Sequence, residues 1–322
     1  MTKVLIIGGG GMVGQKLAHR IAAGHLGLDT PNVTLFDMGF PKDSADGVQI
    51  SGNVTDMTAL KQLAAQRFDV IFHLAAIVSG EAETDFDKGW AINMMSMWHL
   101  LEALRAEHTV SDGVYVPRIV FTSSIAVFGG PYPDKIDDTF LCAPQTSYGA
   151  QKASCEMMLT DFSRKGFVDG ISLRLPTICV RPGKPNLAAS SFFSGIIREP
   201  LNGQEAILPV PDTVRHWHAS PRSAAKFLTH AATLDTRLLE GRRALNLPGL
   251  SCTVAEQIEA LRQIAGQKAV DLIVPREEPA IMRIVEGWPR NFQPDRARSL
   301  GFQAENSFTE IIETYIADDL PR

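Results

Sequence analysis

The chain has 322 residues, 45% of them hydrophobic, and a formal net charge of −5 at pH 7. That is enough apolar material for a real core in one large domain or two ordinary ones. An acidic balance without any basic run argues against nucleic acid as a partner, and no stretch approaches the ~18 consecutive apolar residues of a membrane span.

The first element is the apolar run Val4-Leu5-Ile6-Ile7, too short for the core of a signal peptide. It stops at Gly8-Gly9-Gly10-Gly11-Met12-Val13-Gly14, and the helical spacing Leu17, Ala18, Ile21, Ala22 follows. Strand, tight turn and helix in this order form a phosphate cradle. Glycines let the backbone approach a pyrophosphate, which free N–H groups and the positive end of the helix dipole then hold. The run reads either as Gly-x-Gly-x-x-Gly (Gly9, Gly11, Gly14) or as Gly-x-x-Gly-x-x-Gly (Gly8, Gly11, Gly14). A second strand, Val33-Thr34-Leu35-Phe36, ends in Asp37, 23 residues after Gly14. This is where the acidic partner of an adenosine ribose is expected. A carboxylate there accepts from both ribose hydroxyls and repels a 2′-phosphate, so NAD is favoured over NADP, with Lys42 the nearby residue that opposes this preference.

Apolar strands continue at Val48 to Ile50, Val70 to Leu74, Ile119 to Phe121 and Ile171 to Leu175, alternating with helical patterns. That rhythm predicts an α/β fold, a Rossmann-type doubly wound parallel sheet. The segment from Trp90 to Leu101 predicts a helix that is apolar on nearly all sides and needs cover on more than one face. Phe121-Thr122-Ser123-Ser124 closes the Ile119 strand at the carboxyl end, where ligands sit in an open parallel sheet. Tyr148 and Lys152 follow, one helical turn apart on one face. Free tyrosine has a pKa near ~10, and a neighbouring ammonium stabilises its phenolate. The pair is therefore an acid/base device, and Ser124 is placed to donate to the oxygen whose proton Tyr148 exchanges.

After Leu175 prolines accumulate (Pro176, Pro182, Pro185, Pro200, Pro209, Pro211) and clean periods fade. Residues 1–175 read as the NAD-binding domain. Residues 176–322 read mainly as a smaller C-terminal substrate lobe, with segments that return to the main sheet. Thr253 with Glu256 and Ser307 with Glu310 predict capping boxes at two helix starts. Cys142, Cys155, Cys179 and Cys252 are scattered, as reduced structural thiols of a cytoplasmic protein would be. His216 and His218 lack a third metal-type residue at suitable spacing; alternation on a strand accounts for them, and no metal site is expected.

The glycine loop, acidic residue, serine and Tyr-x-x-x-Lys stand in the order that defines the extended short-chain dehydrogenase/reductases, the NAD-dependent epimerase/dehydratase family, which the chain resembles over its whole length. The resemblance implies cofactor contacts from Gly8, Gly11, Met12, Val13 and Gly14, from Asp37 at the ribose, and from Asn53 and Val54 at the adenine. It adds Leu74, Ala75 and Ala76 after His73, Asn93 on the next helix, Thr177 near the nicotinamide, and Tyr148 and Lys152 themselves. Ser124, in Ser-Ser-x-x-Val-Phe-Gly, joins Tyr148 and Lys152 as the catalytic set. Two positions depart from the family pattern: Asn53 replaces an Asp, and a frequent late Asp is missing from His216-Trp217-His218-Ala219-Ser220-Pro221.

The segment from Leu173 to Asn186 and the following Ala188 to Gly195 are similar to family members that oxidise the C2 hydroxyl of a four-carbon sugar acid with NAD. Ser124, Tyr148, Thr177, Lys184, Asn186 and Arg215 would then face the substrate, Arg215 toward its carboxylate; an ordinary surface arginine is the plain alternative. Family members pair the helix around Asn93 and the Tyr148 helix with their copies, which implies a homodimer. The competing activity is a sugar-nucleotide epimerase or dehydratase with retained NAD, opposed by the missing Asp. A non-catalytic dinucleotide-sensing regulator would be expected to lack the serine or the Tyr-x-x-x-Lys.

Overall fold

A computed structural model of the chain describes residues 1–183 and 189–321. Its strands are β1 (Lys3–Ile7), β2 (Asn32–Asp37), β3 (Val48–Ser51), β4 (Val70–His73), β5 (Arg118–Ser124), β6 (Asp169–Leu175), β7 (Thr177–Ile178), β8 (Ala206–Leu208), β9 (Arg215–Ala219), β10 (Ala244–Asn246), β11 (Leu250–Thr253) and β12 (Ile273–Pro275). They fall into two compact units. One comprises Met1–Val127, Pro144–Arg174 and Ala225–Leu245, the other Phe128–Ala143, Leu175–Ala224 and Asn246–Arg322.

The first unit is built on a seven-stranded sheet of order β10-β6-β5-β4-β1-β2-β3. Neighbours from β3 across to β5 run parallel, with Ile7 in register with both Phe36 and His73. Val4, Leu5, Ile6 and Ile7 are fully buried, because helices cover both faces of a parallel sheet and leave no polar side. On one face Leu5, Ile7, Ile71, Ile119 and Phe121 pack with Leu60, Leu63, Leu100, Leu104 and Leu159 from three helices. Each such side chain contributes roughly 1.5–3 kcal/mol by leaving water. From β1 the chain moves outward to β2 and β3, then returns to lay β4, β5 and β6 on the other side. The order reverses between β1 and β4, which opens the crevice where doubly wound sheets bind ligands.

The helix expected from Trp90 to Leu101 is the middle of a longer run with a change of winding. Phe86–Trp90 is α-helical, Ala91–Met95 is a π turn, and Ser96–Val110 is α-helical again. Such turns arise where one extra residue is accommodated in the helix.

In the second unit β9 pairs antiparallel with β11 and parallel with β7, and β8 pairs with β12. Phe193, Ile196, Ile197, Leu261, Ile311 and Tyr315 form its core. His216, Trp217 and His218 are all buried, so β9 is covered on both sides and does not alternate between core and water. The capping box at Thr253 and Glu256 is complete. At the other helix Ser307 caps the Glu310 N–H, whereas the Glu310 carboxylate accepts from Asn306 N at 3.0 Å, one residue earlier than a box requires. Among the described residues no helix is long and apolar enough to cross a membrane.

Candidate active site at the strand switch point

The glycine loop is clamped between two strand ends. Gly8 N and Gly9 N donate to Phe36 O at 2.8 and 3.2 Å, while Leu74 N and Ala75 N donate to Ile7 O at 2.8 and 3.1 Å. Gly8 has φ +91°, and a β-carbon on it would stand 2.6 Å from Ala75 N; only glycine fits both demands. A β-carbon on Gly14 would collide with Gly8 O, so the helix Met12–Ala22 packs directly on the loop. Gly11 differs. Its nearest neighbour would be 3.5 Å away, and it starts the helix without any side-chain cap. β-Carbons on Gly9 and Gly10 would be crowded too, against Leu35 and Gly39 O, but of Gly8 and Gly9 only Gly8 has a positive φ, and this favours the second of the two glycine patterns. Gly11, Met12 and Val13 leave an uncapped helix start open to a phosphate.

Asp37 ends β2 beside this opening. Its carboxylate accepts from Gly10 N at 2.9 Å and Met38 N at 2.7 Å. Asn53 uses its side-chain oxygen for Thr55 N at 3.0 Å, and Val54 is buried. An open glycine, an uncapped helix and a strand-end carboxylate together fit a dinucleotide.

Ser124 ends β5 and accepts from Ala126 N at 3.1 Å, forming a tight turn. The helix Ser147–Arg164 carries half-buried Tyr148 and fully buried Lys152. Its start is fixed twice: Thr146 accepts from Gly149 N at 3.1 Å, and Glu83 accepts from Ser147 N at 2.9 Å. A β-carbon on Gly149 would strike Ala126 O. The helix therefore meets the Ser124 turn main chain against main chain. Lys152 Nζ donates to Thr122 O at 2.9 Å and lies 4.7 Å from the Phe121 ring centroid and 5.6 Å from that of Tyr148. Burial brings Lys152 down to about 8, against the opposing pull of Cys155 and Glu156.

Beneath Lys152 lies a network that sequence reasoning missed. Glu156 accepts from Ser123 Oγ at 2.5 Å and pairs with Arg174 of β6 at 2.7 Å. Glu156 stands one further turn along the same helix face, and that spacing was the available signal. Asn93, in the π turn, is also buried. Its oxygen accepts from Ile77 N at 2.8 Å and its amide donates to Gln151 Oε1 at 2.8 Å, bracing the loop after β4 against the Tyr148 helix.

Thr177 and Arg215 belong to the second unit. Thr177 Oγ1 lies 2.7 Å from His216 Nε2, and the His216 ring is stacked on Phe193 at 5.1 Å. Arg215 donates to Ser251 O at 3.0 Å and pairs with Glu256 at 3.3 Å. The expected substrate contacts Lys184 and Asn186 lie outside the described residues. Among the described residues no three His, Cys, Asp or Glu side chains are grouped to hold a metal ion.

Residues 4–219 match the NAD dependent epimerase/dehydratase family. The chain belongs to this family. It is an NAD-dependent oxidoreductase of the epimerase/dehydratase family. It is 45% identical to D-erythronate dehydrogenase from Cupriavidus necator, over 98% of both chains, and 39% identical to D-erythronate dehydrogenase from Haemophilus influenzae, over 99% of this chain and all of that one. The crystal structure of the nucleoside-diphosphate-sugar epimerase from Agrobacterium tumefaciens is 54% identical, covering 99% of this chain and 94% of the other, with a TM-score of 0.95.

Proposed function

We propose that the protein oxidises the C2 hydroxyl of D-erythronate to 2-dehydro-D-erythronate with NAD. The observation that carries the chemistry is the buried ammonium of Lys152, bound to Thr122 O beside the Tyr148 ring. Tyr148 as the phenolate takes the hydroxyl proton, Ser124 donates to the same oxygen, and Lys152 stabilises the phenolate charge. Bound NAD supplies the acceptor for the hydride that leaves C2 as the carbonyl forms. Gly8, Gly11, Met12, Val13 and Gly14 hold its pyrophosphate, Asp37 its ribose, and Asn53 and Val54 its adenine; Leu74, Ala75, Ala76 and Asn93 complete this part of the pocket, and Thr177 is assigned to the nicotinamide by the family resemblance alone. Arg215 anchors the substrate carboxylate, exchanging Glu256 for a charge-assisted contact with the acid.

Two full-length relatives bearing the erythronate activity support the choice of substrate. The competing reading is a sugar-nucleotide epimerase, favoured by the name of the 54% identical structure. Turnover separates them: a dehydrogenase releases one NADH per substrate, whereas an epimerase returns the hydride and accumulates none. The test is to follow NADH absorbance with four-, five- and six-carbon aldonates and with UDP-glucose. Steady NADH formation on D-erythronate is expected, and its absence on every aldonate would sink the reading.

The active form in this proposal is a cytoplasmic homodimer. Met95 and Trp98 on the helical run through Asn93, and Met157 on the Tyr148 helix, are apolar side chains left 37%, 39% and 69% exposed. A partner copy would cover them. Four free cysteines suit a reducing compartment.

A further inference from the structure

Gln15, immediately after the last glycine of the loop, binds groups outside its own helix. Nε2 donates to Gly9 O at 2.6 Å and to Ser44 Oγ at 3.0 Å, and Oε1 accepts from Ala45 N at 2.8 Å. One amide thereby joins the glycine loop to the connection between β2 and β3, residues 38–47. The connection also passes close to the loop at Gly39, whose carbonyl a β-carbon on Gly10 would strike. Between Gly39 and Ser44, Pro41, Lys42 and Asp43 are exposed, and Ala45 beyond them is buried. Lys42 is the one cation between Asp37 and Val48.

We propose that Gln15 is a positioning residue that holds the 38–47 connection fixed beside Asp37 and so enforces the preference for NAD over NADP. This rests on Asp37 as the partner of the adenosine ribose. Asp37 repels a 2′-phosphate, but a lysine five residues later could offset that repulsion if its backbone were free to fold inward, since an ammonium on a flexible stem readily pairs with phosphate. The Gln15 amide removes that freedom. It fixes Ser44 and Ala45, which leaves Lys42 on the solvent side of a closed loop. The same bonds preorganise the wall of the ribose site, so NAD binds without first ordering the connection.

The test compares Gln15→Met, which keeps the length and loses all three bonds, with the parent enzyme in steady-state kinetics on both cofactors. KM for NAD is expected to rise about 5-fold, the scale of one or two lost hydrogen bonds between neutral groups, with a smaller effect on kcat. The ratio of kcat/KM for NAD to that for NADP should fall by roughly 10-fold, the scale of one contact to a charged group. Adding Lys42→Ala to Gln15→Met should restore the ratio and leave KM for NAD raised, a pattern that simple misfolding would not produce. An unchanged ratio in Gln15→Met, or a fall that persists without Lys42, overturns the proposal. Should Gln15→Met fail to fold by circular dichroism, Ser44→Ala decides instead: a shift of both quantities in the same directions by about 2-fold supports the clamp, and no shift refutes it. If the parent shows no preference for NAD at all, the assignment of Asp37 fails, which is a different outcome.

Discussion

Lys152 donates from Nζ to the main-chain oxygen of Thr122 at 2.9 Å, so the cation is held against the strand that ends in Ser124. The helix supplying Lys152 also supplies Tyr148, and at Gly149 it is pressed against the Ser124 turn. Proton donor, acceptor and cation are therefore referred to one another through backbone. Tyr148→Phe should keep the fold and the NAD affinity and lower kcat by at least ~100-fold, the usual scale of a lost acid/base group. Fluorescence titration with NADH and single-turnover kinetics check this; turnover near the parent's would remove Tyr148 from the chemistry.

The pH dependence of Lys152 has opposite signs for activity and stability. Burial lowers its folded pKa to about 8, below the ~10.4 of an exposed lysine. Between these values the folded state binds fewer protons than the unfolded state, so the contribution of Lys152 to stability grows more favourable as pH rises through the window. Activity moves the other way, because the ammonium that stabilises the phenolate disappears above about 8. The expected result is a falling kcat/KM from pH 8 to 10 while the urea midpoint, compared with Lys152→Met, improves. Full activity retained at pH 10 would contradict it.

Asp37→Ala should narrow the preference for NAD by relieving repulsion of the 2′-phosphate. It should also weaken NAD, since the carboxylate holds Gly10 N and Met38 N. Kinetics with both cofactors give the answer. Equal efficiency with NAD and NADP in the unmodified enzyme would exclude this role.

Arg215→Ala should raise KM for D-erythronate by ~10-fold, as expected for a lost hydrogen bond to a charged group, with KM for NAD unaltered. Arg215→Lys should recover part of this, because a point charge cannot reproduce the guanidinium fork. An unaltered KM would move the carboxylate anchor to Arg181 or Lys184.

Three buried histidines, His73, His216 and His218, are expected to make the fold sensitive to acid. Burial lowers His73 and His216 to about 3 and His218 well below its usual value. The unfolded chain takes up protons near pH ~6.5 while the folded one does not, so stability falls as pH drops below that point, by about 1.4 kcal/mol per pH unit for each histidine. Urea midpoints from pH 6.5 to 4.5 should fall steeply in the parent and less steeply in His218→Phe. Equal slopes would assign acid sensitivity to other groups.

Some of this was readable in the sequence because it is enforced locally. A buried parallel strand leaves a continuous apolar run, as Val4 to Ile7 does, and the glycines that follow advertise a backbone that side chains would obstruct. The Thr253 and Glu256 box is likewise a matter of four adjacent residues. Other features depend on partners distant in the chain. Glu156 and Arg174 read as one ordinary charge each until β6 is laid beside the Tyr148 helix, and Gln15 looks like any solvated helix residue. The segment from Phe128 to Ala143 belongs to the second unit although it comes soon after β5, and its Gly129, Gly130, Pro131 and Pro133 mark a loop without saying which unit it joins. The π turn was hidden for another reason: apart from Asn93 and Ser96, Trp90 to Met97 is apolar, so one extra residue disturbs no visible period.

That extra residue has a consequence for how the two ends of the helix are phased. Successive residues of an α-helix are about 100° apart, and the turn at Ala91–Met95 inserts one. Asn93 can then face Ile77 and Gln151 while Leu100, Leu101 and Leu104 face the core. In a uniform helix the two sets would be out of step by that angle, and aiming one correctly would misdirect the other. The turn works as a phase shifter, letting a single rod answer to the packing of the sheet at one end and to the loop after β4 and the Tyr148 helix at the other.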